Sequence, residues 1–227
     1  MAAIAEDLVS QLRAVPLFKD LGKKSLEALA GASHTRQVPR GKILFQQDDP
    51  ANAVFVVQSG SIVLLLSTPD GRELVINEMR SGDYFGELAL LAGGRRSTGA
   101  VATEDSKVIW IPRQRFLKEL EEDAGVMRHV LKTTAKRLQI SSQREGALAF
   151  LDAGSRLAKT LLQMDDQFGV GGVITISQEA LGQRVGLARQ TVAKTLGRWR
   201  REGWLLTKRG KIEILDRSTL RDQVKNL

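Results

Sequence analysis

The chain has 227 residues, 42% apolar, 26% charged and 5% aromatic, with no cysteine and two histidines. That length fits one large or two modest domains, and the apolar share is ordinary for a folded globular protein. The absence of cysteine excludes disulfides, thiolate zinc sites, iron–sulfur clusters and cysteine nucleophiles, and His34 and His129 alone argue against a histidine metal centre or haem. The longest aliphatic run, Ile62–Leu66, is too short to span a bilayer, and Glu6 and Asp7 precede any basic residue, unlike a secretory leader. The expectation is a cytoplasmic protein without a membrane partner.

The net charge of +8 is unevenly spread. Residues 1–151 carry 20 basic and 18 acidic side chains, whereas residues 152–227 carry 14 and 8. Between Arg184 and Lys211 nine basic residues accompany one acid, Glu202. Such a concentration points to a polyanion partner for the C-terminal third, with a solvated basic face as the plainer alternative.

Residues 6–31 read as helical, with Leu8, Leu12, Leu26 and Leu29 at helical spacing. From about Val38 to Pro112 the pattern is one of short strands: Lys42–Phe45, Val54–Val57, Ile62–Leu66, Leu74–Ile76 and Lys107–Ile111, punctuated by Gly41, Gly60, Gly71, Gly82 and Gly86. Pro69-Asp70-Gly71 predicts a hairpin turn, because proline presets φ and glycine accepts positive φ. Short strands at this spacing predict a small barrel or roll, not a parallel sheet.

Inside that region Gly82-Asp83-Tyr84-Phe85-Gly86-Glu87-Leu88-Ala89-Leu90-Leu91 is followed by Arg95-Arg96-Ser97-Thr98. Glycines let backbone approach a ligand closely, and a short helix from about Glu87 offers N–H groups to an anion. An arginine about ten residues on suits a forked grip on phosphate, and Glu87 suits acceptance from ribose hydroxyls. A glycine turn followed by a surface arginine pair is also common, so residue types alone leave an ordinary loop as the alternative.

From Arg113 the period turns helical, and a proline-free stretch runs from about Ala124 to Leu151. Met127, Leu131, Thr134, Leu138, Ser141, Glu145 and Leu148 recur at alternating spacings of four and three, a heptad seam with four apolar members. A helix packed on its own domain is the simpler reading. About seven turns is more than the strand domain needs, which favours a dimer seam in which the polar members mark register or a ligand.

A further amphipathic helix is predicted from Asp152, with Leu157, Leu161 and Leu162 on its apolar face. A loop is expected around Asp165-Asp166 and Gly169-Val170-Gly171-Gly172, a plain turn since it precedes a short strand, Val173–Ile176, and opens no helix. Ser177 is a good N-cap for a helix to Val185; Gly186-Leu187-Ala188 then turns into a second helix, Arg189 to about Arg201. On that helix Val192, Leu196 and Trp199 form a narrow stripe, opposed by Gln190, Lys194, Gly197, Arg198 and Arg201. Beyond it Trp204–Leu206 and Ile212–Leu215 flank the basic Lys208-Arg209-Gly210-Lys211, a hairpin suited to phosphate. Together these predict a winged helix-turn-helix reading double-stranded DNA.

Gly-Glu-Leu-Ala-Leu at 86–90 followed by Arg96-Ser97 resembles the phosphate-binding cassette of cyclic-nucleotide-binding domains. With the long helix and the winged helix, nearly all of the chain resembles the CRP/FNR family of transcription factors. Arg137–Ser142 and Leu148–Asp152 are similar to its cyclic-AMP-responsive members. The resemblance implies an α+β protein: an N-terminal jelly-roll-like β-roll (1–123) binding the nucleotide, a dimerisation helix (124–151) and a winged helix-turn-helix (152–227).

It further implies that Gly86, Glu87 and Leu88 line the cyclic phosphate and ribose, with Glu87 on the 2′-hydroxyl and Arg96 and Ser97 on the phosphate. Ser141 is implied to reach adenine from its own subunit and Ser142 from the partner. The dimer seam would use Met127, Leu131, Thr134, Leu138 and Leu148, and Asp152 matches the hinge before the DNA-binding domain. Arg189, Gln190 and Lys194 fall on base-reading positions, with Gln190 shifting preference from cytosine towards adenine. Thr191, Ser177, Lys208 and Arg209 fall to phosphate, and Ala188 lacks the usual capping hydroxyl.

Two departures concern the cassette: Thr98 replaces the usual alanine, and Arg95 stands where proline or a polar residue is common, as a second phosphate partner or a solvated neighbour. Ser97 is also able to meet a guanine amino group, so cyclic GMP is an alternative ligand, and another effector or none is a further one. The family's mechanism is allosteric, with RNA polymerase as an expected partner. No nucleophile–base pair is visible, so no catalytic residue, metal or cofactor is expected beyond the allosteric ligand.

Overall fold

The computed structural model describes residues 2–168 and 173–224. Its contacts divide the chain into two compact units, Met1–Lys136 and Arg137–Leu227. In the first unit α1 (Ala2–Ala14) and α2 (Lys23–Ala32) precede β1 (His34–Val38), β2 (Ile43–Phe45), β3 (Ala53–Ser59), β4 (Ser61–Ser67), β5 (Glu73–Arg80) and β6 (Tyr84–Phe85). The short α3 (Glu87–Leu91) separates β6 from β7 (Gly99–Ala102) and β8 (Ser106–Pro112), after which come α4 (Arg113–Glu122) and α5 (Ala124–Phe150).

The strands form two antiparallel four-stranded sheets, in the orders β1-β8-β3-β6 and β2-β7-β4-β5. Period-two alternation explains how they stack. On β3, Ala53, Phe55 and Val57 face a core shared with Phe45, Ile62, Met79 and Phe85 between the sheets. The intervening Val54 and Val56 face the other way, joining Ile109, Ile111, Phe116 and the helical Leu12, Leu26 and Leu29. β3 is therefore apolar from Ala53 to Val57, where both of its faces are covered. The 69–71 turn joins β4 to β5 as expected, with Gly71 at φ +79°.

Three features differ from the sequence reading. The 6–31 helical region is two helices, broken by a turn whose Val15, Leu17, Phe18 and Leu21 are buried in the helix-side core. The strands β1, β6 and β7 were not anticipated as separate elements, since β1 carries exposed polar residues and β6 and β7 are short. Finally, Val126 and Val130 of α5 are buried in the helix-side core, so that helix also serves its own domain.

In the second unit α6 (Ala153–Phe168), β9 (Val173–Thr175), α7 (Gln178–Val185), α8 (Arg189–Arg201), β10 (Leu205–Lys208), β11 (Lys211–Ile214) and α9 (Arg217–Asp222) enclose one core. The residues expected to be buried, Leu157, Leu161, Leu162, Leu181, Val185, Val192, Leu196 and Trp199, all belong to it. Asp165 and Asp166 lie within α6 and not in a loop; both pair with Arg217 at the start of α9, which offsets their weak helix propensity. The Gly169–Gly172 turn lies outside the described residues. β9 ends one residue early, at Thr175; β10 starts one residue late and runs on to Lys208, and β11 spans Lys211–Ile214, one residue ahead of the expected Ile212–Leu215. Asp152 caps α6, its Oδ1 accepting from Ser155 N at 2.8 Å. Among the described residues no helix is long and apolar enough to cross a membrane.

Candidate functional site

The loop from β6 to β7 is built around one arginine. β6 pairs with β3 (Phe55 opposite Phe85), which fixes where Gly86 leaves the sheet. Gly86 has φ +85° and caps α3, a conformation that excludes most side chains. A Cβ on Gly86 would also sit 2.5 Å from Nη1 of Arg96, so the glycine makes room for that guanidinium.

Arg96 is only 2% exposed. Its Nη1 donates to the carbonyl of Gly86 and its Nη2 to that of Ala53, both at 2.8 Å. The guanidinium lies 4.2 Å above the Phe45 ring centroid and 5.6 Å from that of Phe55, an aromatic floor completed by Phe85. The third donor nitrogen, Nε, is buried without a hydrogen-bond partner. Burial pulls the Arg96 pKa down to about 10, opposed by the charges of Asp49 and Glu87, so the group is a cation at neutral pH. A buried cation with a free donor is poised for an anion that completes its shell.

The other expected ligand residues fall into two groups. Glu87 is buried, 1% exposed, at the start of α3, close enough for its charge to act on Arg96. Leu88 and Ser97 are exposed and Thr98 is half-buried. Ser141 and Ser142 are exposed on the part of α5 that belongs to the second unit, where Ser141 Oγ donates to Glu145 at 3.3 Å. Sequence reasoning missed the partners of Arg96 (Phe45, Phe55, Asp49 and the Ala53 carbonyl). Strand alternation marks the two rings as core but does not reveal that a cation rests on them.

On α5 the seam positions Met127, Leu131, Leu138 and Leu148 are exposed, Leu131 at 63% and Leu138 at 66%. Thr134 is half-buried, its hydroxyl shielded and without a hydrogen bond.

In the second unit Ser177 Oγ accepts from Ala180 N at 3.1 Å, capping α7 as expected. Gly186 closes that helix in the left-handed conformation. A Cβ on Gly182 would meet the Leu187 carbonyl at 2.6 Å, so the turn between α7 and α8 is tight because residue 182 has no side chain. Gly182 lies inside the helix predicted to run to Val185, and nothing local in the sequence sets it apart. α8 buries Val192, Leu196 and Trp199 and leaves Arg189, Gln190, Thr191 and Lys194 in solvent. Its cap, Ala188, makes no side-chain bond. The hairpin turns at Arg209-Gly210 with Lys208 opposite Lys211, and the Gly210 carbonyl accepts from Ile176 N at 2.9 Å, anchoring the basic tip beside the entry to α7.

The first unit is thus a β-roll with a buried anion-ready arginine, the second a winged helix-turn-helix with an exposed basic face. The family model of the cyclic nucleotide-binding domain matches residues 35–123, and that of the Crp-like helix-turn-helix domain matches residues 155–223. The cAMP-activated global transcriptional regulator CRP of Salmonella typhimurium is 30% identical over 178 residues, covering 76% of this chain and 85% of that protein. A CRP-like cAMP-activated global transcriptional regulator of Mycobacterium tuberculosis is 27% identical over 210 residues, covering 90% and 94%. Among solved structures, a transcriptional regulator of the CRP/FNR family from Eubacterium rectale has the same fold, with a TM-score of 0.80 at 20% identity, covering 92% of this chain and 97% of that one. The chain belongs to the CRP/FNR family: it is a DNA-binding transcription regulator with a cyclic nucleotide-binding domain, and not an enzyme.

Proposed function

We propose that the protein is a cyclic-AMP-responsive regulator that acts in the cytoplasm as a homodimer on a pseudo-palindromic operator, with RNA polymerase as its downstream partner. Residues 1–123 bind the nucleotide, 124–151 dimerise and 152–227 read DNA. The observation that carries the ligand reading is Arg96, whose two terminal nitrogens are committed to backbone carbonyls while Nε lacks an acceptor. A cyclic phosphate supplies that acceptor, with Ser97 beside it, Gly86 and Leu88 lining the approach and Glu87 taking the ribose 2′-hydroxyl.

Ser141 and Ser142 contact the base from the two subunits of the dimer. The exposed leucines and Met127 on α5 support pairing with a second copy, since a seam of this kind is stable only when covered. On DNA, Arg189, Gln190 and Lys194 read bases, while Ser177, Thr191, Lys208 and Arg209 hold phosphates. Ligand shifts the population towards the state whose two recognition helices match half-sites one helical turn apart.

Calorimetric titration with cyclic AMP and, in parallel, cyclic GMP tests this, with Arg96→Ala as control. Micromolar or tighter cyclic AMP binding that collapses in the variant is the expected result. Preference for cyclic GMP would transfer the base contact to Ser97. No heat with either nucleotide from folded protein would remove the ligand reading and leave DNA binding intact.

A further inference from the structure

Arg95 stands next to the anion site and spends its guanidinium elsewhere. Its Nη1 donates to the carbonyl of Asp48 at 2.8 Å. Asp48 has φ +66°, the one positive value on a non-glycine residue among those described, a left-handed conformation that Asp adopts more readily than most side chains but less readily than glycine. The turn containing it is tied to the cassette through the backbone: Asp48 N donates to Arg96 O at 2.8 Å, Arg96 N to Asp49 O at 2.9 Å, and Pro50 faces Arg95 in an isolated antiparallel bridge. Within the turn, Asp49 Oδ2 accepts from Gln46 N at 2.7 Å.

That turn delivers two of the groups that define Arg96. Asp49 supports its positive charge, and the chain then enters β3, where the Ala53 carbonyl accepts from Nη2. Whatever fixes the turn therefore fixes the guanidinium on which the ligand reading depends.

We propose that Arg95 is a positioning residue of the cyclic-nucleotide site: it latches the left-handed turn at Asp48 and so sets where Arg96 stands. This rests on the reading of the cassette as a cyclic-nucleotide pocket. It replaces the two roles that residue type alone suggested, a second phosphate partner or an idle surface charge.

Four proteins decide it: wild type, R95A, D48G and R95A/D48G, each checked for native circular dichroism. Without ligand, hydrogen exchange at the Asp48 and Arg96 amides reads the latch directly, and R95A is expected to speed it about tenfold. With cyclic AMP, R95A is expected to raise Kd about tenfold, as for loss of one charge-assisted hydrogen bond. That factor should be the same at about 0.1 M and about 0.5 M salt, because the latch acts through geometry and not through long-range charge. In the D48G background the R95A penalty should shrink below about threefold, since glycine takes positive φ without being held.

Unchanged exchange in R95A overturns the proposal. So does a penalty that high salt erases and D48G leaves untouched, which would make Arg95 a direct electrostatic partner of the phosphate. No heat from wild type with cyclic AMP or cyclic GMP defeats the underlying ligand reading and the positioning role with it. The exchange measurement would then still report whether Arg95 holds the turn.

Discussion

The two units hold their key cations in opposite ways. In the roll a single arginine is 2% exposed, pinned by two carbonyls and floored by aromatic rings. In the winged helix Arg189, Lys194, Arg201, Lys208 and Arg209 all lie in solvent. A buried charge acts through a low dielectric, so its effect is large, dependent on geometry and barely screened. A row of exposed charges gains from each phosphate in turn, additively and with strong dependence on salt. A small ligand and a polymer therefore call for different treatment of the same residue type, and the difference is measurable as salt sensitivity.

The largest effect is expected at Arg96. Arg96→Ala should weaken cyclic-nucleotide binding by at least about 100-fold, and Arg96→Lys nearly as much, because an ammonium keeps the charge but does not reproduce the planar fork. Calorimetry at two salt concentrations should give the same loss at both. Gly86→Ala should act similarly, through the φ of +85° and the 2.5 Å approach to Arg96. Strong salt dependence of wild-type ligand affinity would break the contrast between the units.

The seam comes next. A double substitution Leu131→Glu and Leu138→Glu places like charges across the proposed dimer interface and should give monomer by sedimentation. Operator affinity should fall about 100-fold, as two linked half-sites become separate binding events. Dimers persisting in that variant would show that the exposed leucines are not the seam. Smaller again is the wing. Lys208→Ala and Arg209→Ala should each cost about threefold in DNA affinity near physiological salt. Each should also reduce the slope of log K against log salt by about 0.9, uniformly across DNA sequences.

The winged helix was the more legible half in sequence because its signals are local. A Ser177 cap, a three-residue turn and the 192/196/199 stripe each lie within one or two helical turns, and all are found where spacing put them. The roll was legible as a strand pattern, but β1 and β7 have too little apolar alternation to stand out. The environment of Arg96 was the least legible. Apart from the Gly86 carbonyl, its partners come from residues 45 to 55, about 40 to 50 positions away in sequence, and the decisive acceptors are backbone carbonyls, which any residue supplies. Asp165 and Asp166 show the same limit: as a pair of acids they suggested a loop, yet a distant arginine, Arg217, stabilises them inside a helix.

The smallest predicted change sharpens the contrast from the DNA side. Ala188 already has the extended backbone of an N-cap, φ −61° and ψ 142°, and its carbonyl accepts from Thr191 N at 2.9 Å, but its side chain gives α8 nothing. Ala188→Ser needs no backbone movement and adds a hydroxyl oxygen for a first-turn amide, which should stabilise the second unit by about 1 kcal/mol in chemical denaturation. The same hydroxyl can donate to a DNA phosphate, so DNA affinity should rise about threefold to fivefold, the yield of one neutral hydrogen bond. Because no charge is added and no further counterion is released, the salt slope should stay unchanged. A rise in affinity with an altered slope would mean that the substitution has moved the basic face itself, and the recognition helix would then be held less rigidly by its core than the buried Val192, Leu196 and Trp199 indicate.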